Sequence, residues 1–338
     1  MKAARLHSGT DRLQLDDLPV PDATGDAVLV RVTGAGVCHS DLHIIDGMFD
    51  DIVSRPVTLG HEIAGRVAAF GADVTDLQID EPVVVMVGWG CGHCESCVSG
   101  HEQLCAHGRT AGETTDGGFA EYVLVPHRRN VVPLGDVDPL DATPLGCAAL
   151  SAYAAVKRVR KDVPGGSLLG VIGAGGLGQY AIQLARTMTG AMIAAVDARQ
   201  DALERAATLG ADHTVAGDAG ALDELNEITG GRGASAVIDF VGSDETLDLA
   251  AGIVGGRGVV ALLGLAGGSL SFSFGRLAPE ASLTTVYAGT VVDLQEVVAL
   301  VQAKRLVSTI ETCPLDEIGT ALDRLRAGAV AGRVVVTP

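Results

Sequence analysis

The sequence predicts an α/β protein of two domains, one of them a doubly wound parallel sheet. Three observations carry this. Near residue 149 the pattern changes: short Val-rich runs broken by Gly, Pro and Asp give way to apolar strands alternating with amphipathic helices. A glycine cluster, Gly173-Ala174-Gly175-Gly176-Leu177-Gly178, sits where the first of those strands meets the first of those helices. Finally, 338 residues with 47% hydrophobic side chains suffice for two buried cores.

Taken in order, AVLVRVTGAGV, PVVVMVGWG and AEYVLVP read as strands separated by turns, so residues 1–145 form a β-rich lobe, a distorted barrel. SLLGVIG (167–173) is then a buried strand, and the helix over 176–188 puts Leu177, Ala181, Leu184, Ala185 and Met188 on one face. AMIAAVD (191–197) follows as a strand, with a helix over 201–209 and a short strand near His213–Val215. SAVIDFVG (235–242) and GVVALLG (258–264) flank a helix over 244–253. The tail holds helices over 293–303 and 316–327 and a last strand, GRVVVTP.

A formal net charge of −18 excludes nucleic acid and anionic membranes as partners, because phosphates would be repelled. No uncharged apolar run is long enough to span a bilayer. The opening MKAARLHSGTDRLQLDD has no apolar stretch before its first charges, so no signal peptide is expected and the location is cytoplasmic. In a reducing compartment clustered thiols read as metal ligands in preference to disulfides.

The glycine cluster is a G-x-G-x-x-G between a strand and a helix, the context that makes it a dinucleotide fingerprint. Gly173 makes the tight turn, Gly175 lets the backbone approach a pyrophosphate, and Gly178 lets the helix pack on the strand. The helix N-terminus beyond Gly176 and Leu177 offers unpaired N–H groups to phosphates. Asp197 ends the next strand, where an acid accepts hydrogen bonds from the ribose hydroxyls, favouring NAD over NADP. Arg199 nearby is the type of residue that accommodates a 2′-phosphate.

Of seven cysteines, Cys91, Cys94, Cys97 and Cys105 are spaced C-x2-C-x2-C-x7-C in a loop with little apolar content. Four thiolates around one zinc would supply the order that such a loop cannot obtain from burial. Cys38, His61 and Cys147 lie too far apart in sequence for spacing to join them. Taken alone they read more readily as small buried thiols and a satisfied core histidine.

CHSDLH (38–43), GHE (60–62), the four-cysteine loop and GAGGLG (173–178), with GGFAEY (117–122) as a softer match, occur in an order that resembles the zinc-dependent alcohol dehydrogenases of the medium-chain dehydrogenase/reductase family. The resemblance covers essentially the whole chain. It implies a GroES-like catalytic domain from residues 1–148 and 289–338, with a structural-zinc lobe at about 88–110, around a Rossmann NAD-binding domain from 149–288. It implies that Cys38, His61 and Cys147 hold a catalytic zinc with one open position, and that Cys91, Cys94, Cys97 and Cys105 hold a structural one. Asp41 matches the acid that orients the ligand histidine. Glu62 matches the acid beside the zinc, and Ser40 and His43 match a proton relay through the nicotinamide ribose. His39 and Arg333 match groups near the cofactor phosphates, and Ser151 and Leu177 match neighbours of the nicotinamide. Val241, Leu263 and Leu265 are also expected at the cofactor. Trp89 and Phe49 are expected in the substrate pocket.

The implied activity is reversible oxidation of primary or secondary alcohols to aldehydes or ketones with NAD, in a homodimer or homotetramer. Polyol, threonine or formaldehyde dehydrogenases of the same family share these motifs, although polyol members often carry glutamate where Cys147 stands. Bacterial secondary-alcohol members often carry aspartate there, so Cys147 blurs the substrate branch. A non-catalytic NAD-binding zinc protein is the rival of another class, and the Cys38, His61 and Cys147 set with Ser40 and His43 argues against it. A strand near Val286–Tyr287 and Val291–Val292 is expected to pair across subunits.

Overall fold

The computed structural model describes all 338 residues. The chain divides into two compact units, residues 1–150 with 288–338, and residues 151–287.

The first unit is built on a mostly antiparallel seven-stranded sheet. Its order is Val131–Pro133, Pro82–Val85, Glu62–Phe70, Val28–Gly36, Arg333–Thr337 and Ile310–Pro314, with Tyr122–Val125 also paired to Val28–Gly36. The C-terminal strand Arg333–Thr337 joins this sheet by pairing Val335 with Gly36 of Val28–Gly36, so segments from both parts of the chain complete one sheet. Two register shifts in the central pair, at Leu29/Val30 and Val32/Gly34, bend the sheet. A three-stranded sheet of Leu13–Asp17, Lys2–Leu6 and Val57–Thr58 completes the unit's β-structure with a two-stranded ribbon, Gly88–Trp89 with Arg109–Thr110. Val28, Val30, Val67, Val83, Val85, Phe119 and Val125 pack into its core. Each such side chain contributes about 1.5–3 kcal/mol on burial.

The second unit is a six-stranded parallel sheet ordered His213–Ala216, Met192–Asp197, Leu168–Ile172, Ala234–Asp239, Val254–Leu262, Ser282–Thr285. The chain starts in the middle, winds one way, returns and winds the other. That places a topological switch point beside Leu168–Ile172, where such sheets bind ligands. Helices Gly178–Met188, Gln200–Thr208 and Asp244–Ile253 lie close to their expected spans. Helix Ala221–Thr229 was not anticipated: its apolar face is short, with only Ala221, Leu225 and Thr229 buried.

One expectation needs correction. Val291 and Val292 do not belong to a strand but open the helix Val291–Gln302. Thr290 caps it: its hydroxyl accepts from the Asp293 N–H at 3.1 Å, and the Asp293 carboxylate accepts from the Thr290 N–H at 2.9 Å. This reciprocal cap overrides the β-preference of the two valines. The edge strand ends earlier, at Thr285. No helix is long and apolar enough to cross a membrane.

Candidate metal centres and nucleotide site

The four-cysteine loop folds as the short helix Glu95–Val98, opened by Cys94, and the 3-10 turn Glu102–Leu104, closed by Cys105. Cys91 Sγ lies 4.0 Å from Cys97 Sγ, and Cys94 Sγ lies 3.7 Å from Cys105 Sγ. A tetrahedral zinc with ordinary Zn–S bonds requires edges of about 3.8 Å, so the donor set fits the ion. Backbone N–H groups, His93's foremost, lower the Cys91 thiol to about 6, whereas burial pushes Cys97 up to about 12. His93, His101 and His107 are exposed. The lobe is tied down from outside: Glu102 Oε1 accepts from the Val291 N–H at 2.6 Å, and the Arg129 guanidinium donates to the Gly90 carbonyl.

The second cluster draws on three elements. Cys38 is the N-cap of helix His39–Ile45, His61 immediately precedes strand Glu62–Phe70, and Cys147 ends the turn Thr143–Gly146. One ligand atom from each, together with a Glu62 oxygen, falls within 4.8 Å of the others. Cys38, His61 and Glu62 are buried. A hydrogen bond from Cys147 holds the Cys38 thiol well below its usual range against the opposing effect of burial. The same pairing pushes Cys147 up. Burial pulls His61 down, but the Cys38 thiolate and Asp41 outweigh it and hold the imidazole up at about 10. Two thiols and an imidazole converging on one buried point is a donor set suited to zinc with a position left open.

Asp41 is fully buried. It accepts from the Cys38 N–H at 2.8 Å and the Gly60 N–H at 3.3 Å, while His61 Nδ1 stands 3.8 Å away. That last separation is too long for a hydrogen bond. Asp41 therefore fixes the backbone beside both ligands more directly than it orients the ring. Burial lifts its carboxyl to about 6. Ser40 Oγ lies 3.9 Å from Cys38 Sγ, and the buried Nδ1 of His43 has no protein partner.

In the second unit, Gly173 has φ +86°, and a Cβ on Gly178 would lie 1.9 Å from the Gly173 carbonyl oxygen. The helix can meet the strand only because residue 178 has no side chain. At Gly175 the nearest protein atom to such a Cβ, Arg199 Nη2, is 3.8 Å away. Packing does not require a glycine there, whereas close approach of a pyrophosphate does. Asp197 accepts from the Ala174 N–H at 2.8 Å and the Arg199 N–H at 2.9 Å, which holds its carboxylate at the end of its strand. Val241 N–H and Leu263 N–H donate to the side chain and the backbone of Asp239, respectively, Leu265 is half exposed, and Ser151 is buried.

Residues 24–136 match the alcohol dehydrogenase GroES-like domain model, and residues 176–303 match the zinc-binding dehydrogenase model. A protein named NAD-dependent alcohol dehydrogenase from Sulfurisphaera tokodaii is 36% identical, with all of both chains covered. The chain belongs to the zinc-binding alcohol dehydrogenase family. The solved alcohol dehydrogenase of Aeropyrum pernix superposes with a TM-score of 0.95 at 35% identity over the whole of both chains. A D-arabinose 1-dehydrogenase (NADP(+)) from Saccharolobus solfataricus is 33% identical, covering all of this chain and 97% of the relative.

Against this family background two residues stand apart from the sequence reading. Arg333, expected at a cofactor phosphate, is buried and donates to Glu62 Oε1 at 2.7 Å and to the Val37 carbonyl at 3.2 Å. A buried carboxylate needs such a partner. Even so, burial lifts Glu62 to about 8 against the arginine's pull. Gly36 makes the room: a Cβ there would lie 2.2 Å from Glu62 Oε2. Glu113 was not singled out from the sequence, yet its charge acts on both His61 and Cys38. Its only signal is its place four residues before the GGFAEY run. Trp89 is buried in the first unit's core with its indole N–H donating to the Met86 carbonyl at 2.7 Å. Phe49 meets the His43 ring edge-on at 6.5 Å.

Proposed function

We propose that the chain catalyses reversible oxidation of primary or secondary alcohols to aldehydes or ketones with NAD. The observation that carries this is the convergence of Cys38, His61 and Cys147 beside a helix bearing Ser40 and His43. Full-length relatives named NAD-dependent alcohol dehydrogenase support it. Zinc held by those three residues supplies a Lewis acid for the substrate oxygen, and NAD bound at Gly173–Gly178 and Asp197 supplies the hydride acceptor.

In this reading Ser40 Oγ would accept the substrate's hydroxyl proton as it gives up its own, and His43, half-buried at the site's edge, would take up the relayed proton on its ring and release one to solvent. Asp41 keeps Cys38 and Gly60 in place, and the Glu62–Arg333 pair keeps a second carboxylate buried near the ligands. Phe49, edge-on to the His43 ring, forms an apolar wall for the substrate, while Trp89 stays in the core. His39 and Ser151 attend the cofactor. Cys91, Cys94, Cys97 and Cys105 hold a structural zinc.

The D-arabinose relative favours a second reading, oxidation of a sugar or polyol at the same site. NADH or NADPH absorbance on adding ethanol, 2-propanol, a benzylic alcohol and D-arabinose tests both. No reduced nucleotide from any of them would count against both readings.

The reading extends to a homodimer or homotetramer in the cytoplasm. Strand Ser282–Thr285 is the sheet's free edge, and Leu283 and Tyr287 beside it are exposed. An unpaired edge of this kind is a template for a second copy. Light scattering returning a monomer mass would remove that part.

A further inference from the structure

Asp239 ends strand Ala234–Asp239, is fully buried, and has no part in the reaction steps above. Its Oδ1 accepts from the Val241 N–H at 2.8 Å and the Gly242 N–H at 3.0 Å. Its backbone carbonyl accepts from the Leu263 N–H at 2.9 Å and the Gly264 N–H at 3.1 Å. One residue thus shapes the loop after its own strand and holds the loop after the neighbouring strand, Val254–Leu262. The two loops are also bonded to each other. The Ala266 N–H donates to the Val241 carbonyl at 3.0 Å, and the Gly268 N–H donates to the Gly242 carbonyl at 2.9 Å. Gly242, at φ +73°, permits this approach: a Cβ on it would lie 2.8 Å from the Gly264 carbonyl carbon.

These loops lie at the carboxyl ends of the parallel strands, beside the switch point. Strand Met192–Asp197 runs on one side of Leu168–Ile172, and Ala234–Asp239 runs on the other. With Asp197 at the adenosine ribose and the glycine turn at the pyrophosphate, the remaining half of an extended dinucleotide passes over the ends of Ala234–Asp239 and Val254–Leu262. The first loop touches that glycine turn. The Phe240 N–H donates to the Ile172 carbonyl at 2.9 Å, and a Cβ on Gly173 would lie 2.9 Å from Val241 Cγ2. Val241, Leu263 and Leu265, none of them buried, give the loops an open apolar surface. Asp239 itself is closed to solvent, so it acts on a ligand only through the loops.

We propose that Asp239 is a positioning residue: by fixing residues 240–243 and 263–268 in one arrangement, it forms the seat for the nicotinamide end of NAD. This deepens the dehydrogenase reading and rests on its placement of the cofactor at Gly173–Gly178 and Asp197. Loops already ordered lose no further freedom when the cofactor arrives. A seat formed only one-tenth of the time would weaken binding about 10-fold.

The test measures binding of NADH and of ADP, which lacks the nicotinamide riboside, to the zinc-loaded protein by calorimetry. Wild type, Asp239→Asn, Asp239→Ser and Asp239→Ala are compared. Asp239→Ala removes the acceptor for both loop N–H groups, and its NADH affinity is expected to fall about 10-fold or more while ADP binding stays unchanged. Asp239→Asn keeps an acceptor oxygen in the same place and is expected to bind NADH like wild type. Asp239→Ser, whose hydroxyl makes a weaker turn of the same kind, is expected to fall between them and serves if the alanine variant does not fold. An equal loss of NADH and ADP in the alanine or serine variant means that Asp239 only supports the fold, and overturns the proposal. So does a loss in Asp239→Asn as large as in Asp239→Ala. A wild type that binds neither nucleotide removes the cofactor reading together with the proposal. A wild type that binds both, matched by Asp239→Ala, removes the proposal alone.

Discussion

The lobe of Cys91, Cys94, Cys97 and Cys105 and the centre of Cys38, His61 and Cys147 differ first in how the chain assembles them. The lobe takes all its ligands from one loop with little apolar content, so its order depends on the metal. The centre takes its ligands from a helix N-cap, a strand start and a turn that the seven-stranded sheet brings together. A fold that stands on its own core can bear buried charges and leave a coordination position open. A loop with little core of its own, held chiefly by its ion, cannot. Metal therefore stabilises one region and serves chemistry in the other.

The largest test of that difference is Cys38→Ser. Turnover should fall by about 1000-fold or more, because Lewis-acid activation is lost, while circular dichroism and melting temperature stay near wild type. A parallel collapse of structure would mean that the centre, too, holds the fold. Cys97→Ala should do the reverse. Its melting temperature should drop by about 10 °C, as expected for losing a few kcal/mol in a protein of this size, with kcat per folded molecule nearly preserved.

Proton competition separates the two further. Without metal, His61 is held up at about 10 and Cys147 is pushed up, so both carry protons at neutral pH that zinc must displace. Cys91, at about 6, is already a thiolate, although Cys97, at about 12, is not. Zinc affinity should therefore rise with pH at both sites. Each proton displaced is worth about tenfold per pH unit. Chelator competition at pH 7 and pH 9 on Cys97→Ala and Cys38→Ser proteins measures each site alone, and an affinity that does not rise with pH at the open site would contradict the assignment. The smallest effect is expected from His43→Ala: about a 10-fold slower reaction at pH 6 that recovers toward wild type at pH 9, where solvent base replaces the relay. A pH-independent loss would show that the imidazole serves structure instead.

The same contrast explains what could be read from the sequence. The parallel sheet and its glycine turn were legible because each strand and helix announces itself locally, and Gly178 is required by a contact only five residues away. The closed lobe was legible for the same reason. The open centre was reached through family motifs alone, since nothing local ties Cys38 to Cys147. Contacts made only by the fold stayed hidden. Arg333 meets Glu62 across 271 residues, and Glu102 caps Val291 across 189. The helix start at Thr290 was within reach of the sequence, as T-x-x-D before an apolar run, but its two valines masked it.

The most direct test of the division between a structural and a chemical metal site is zinc content per chain, measured by native mass spectrometry on the same samples assayed for NADH formation. The account predicts two zinc ions and turnover in wild type, and one zinc ion, an intact fold and no turnover in Cys38→Ser. A Cys38→Ser protein that retains wild-type turnover would contradict it.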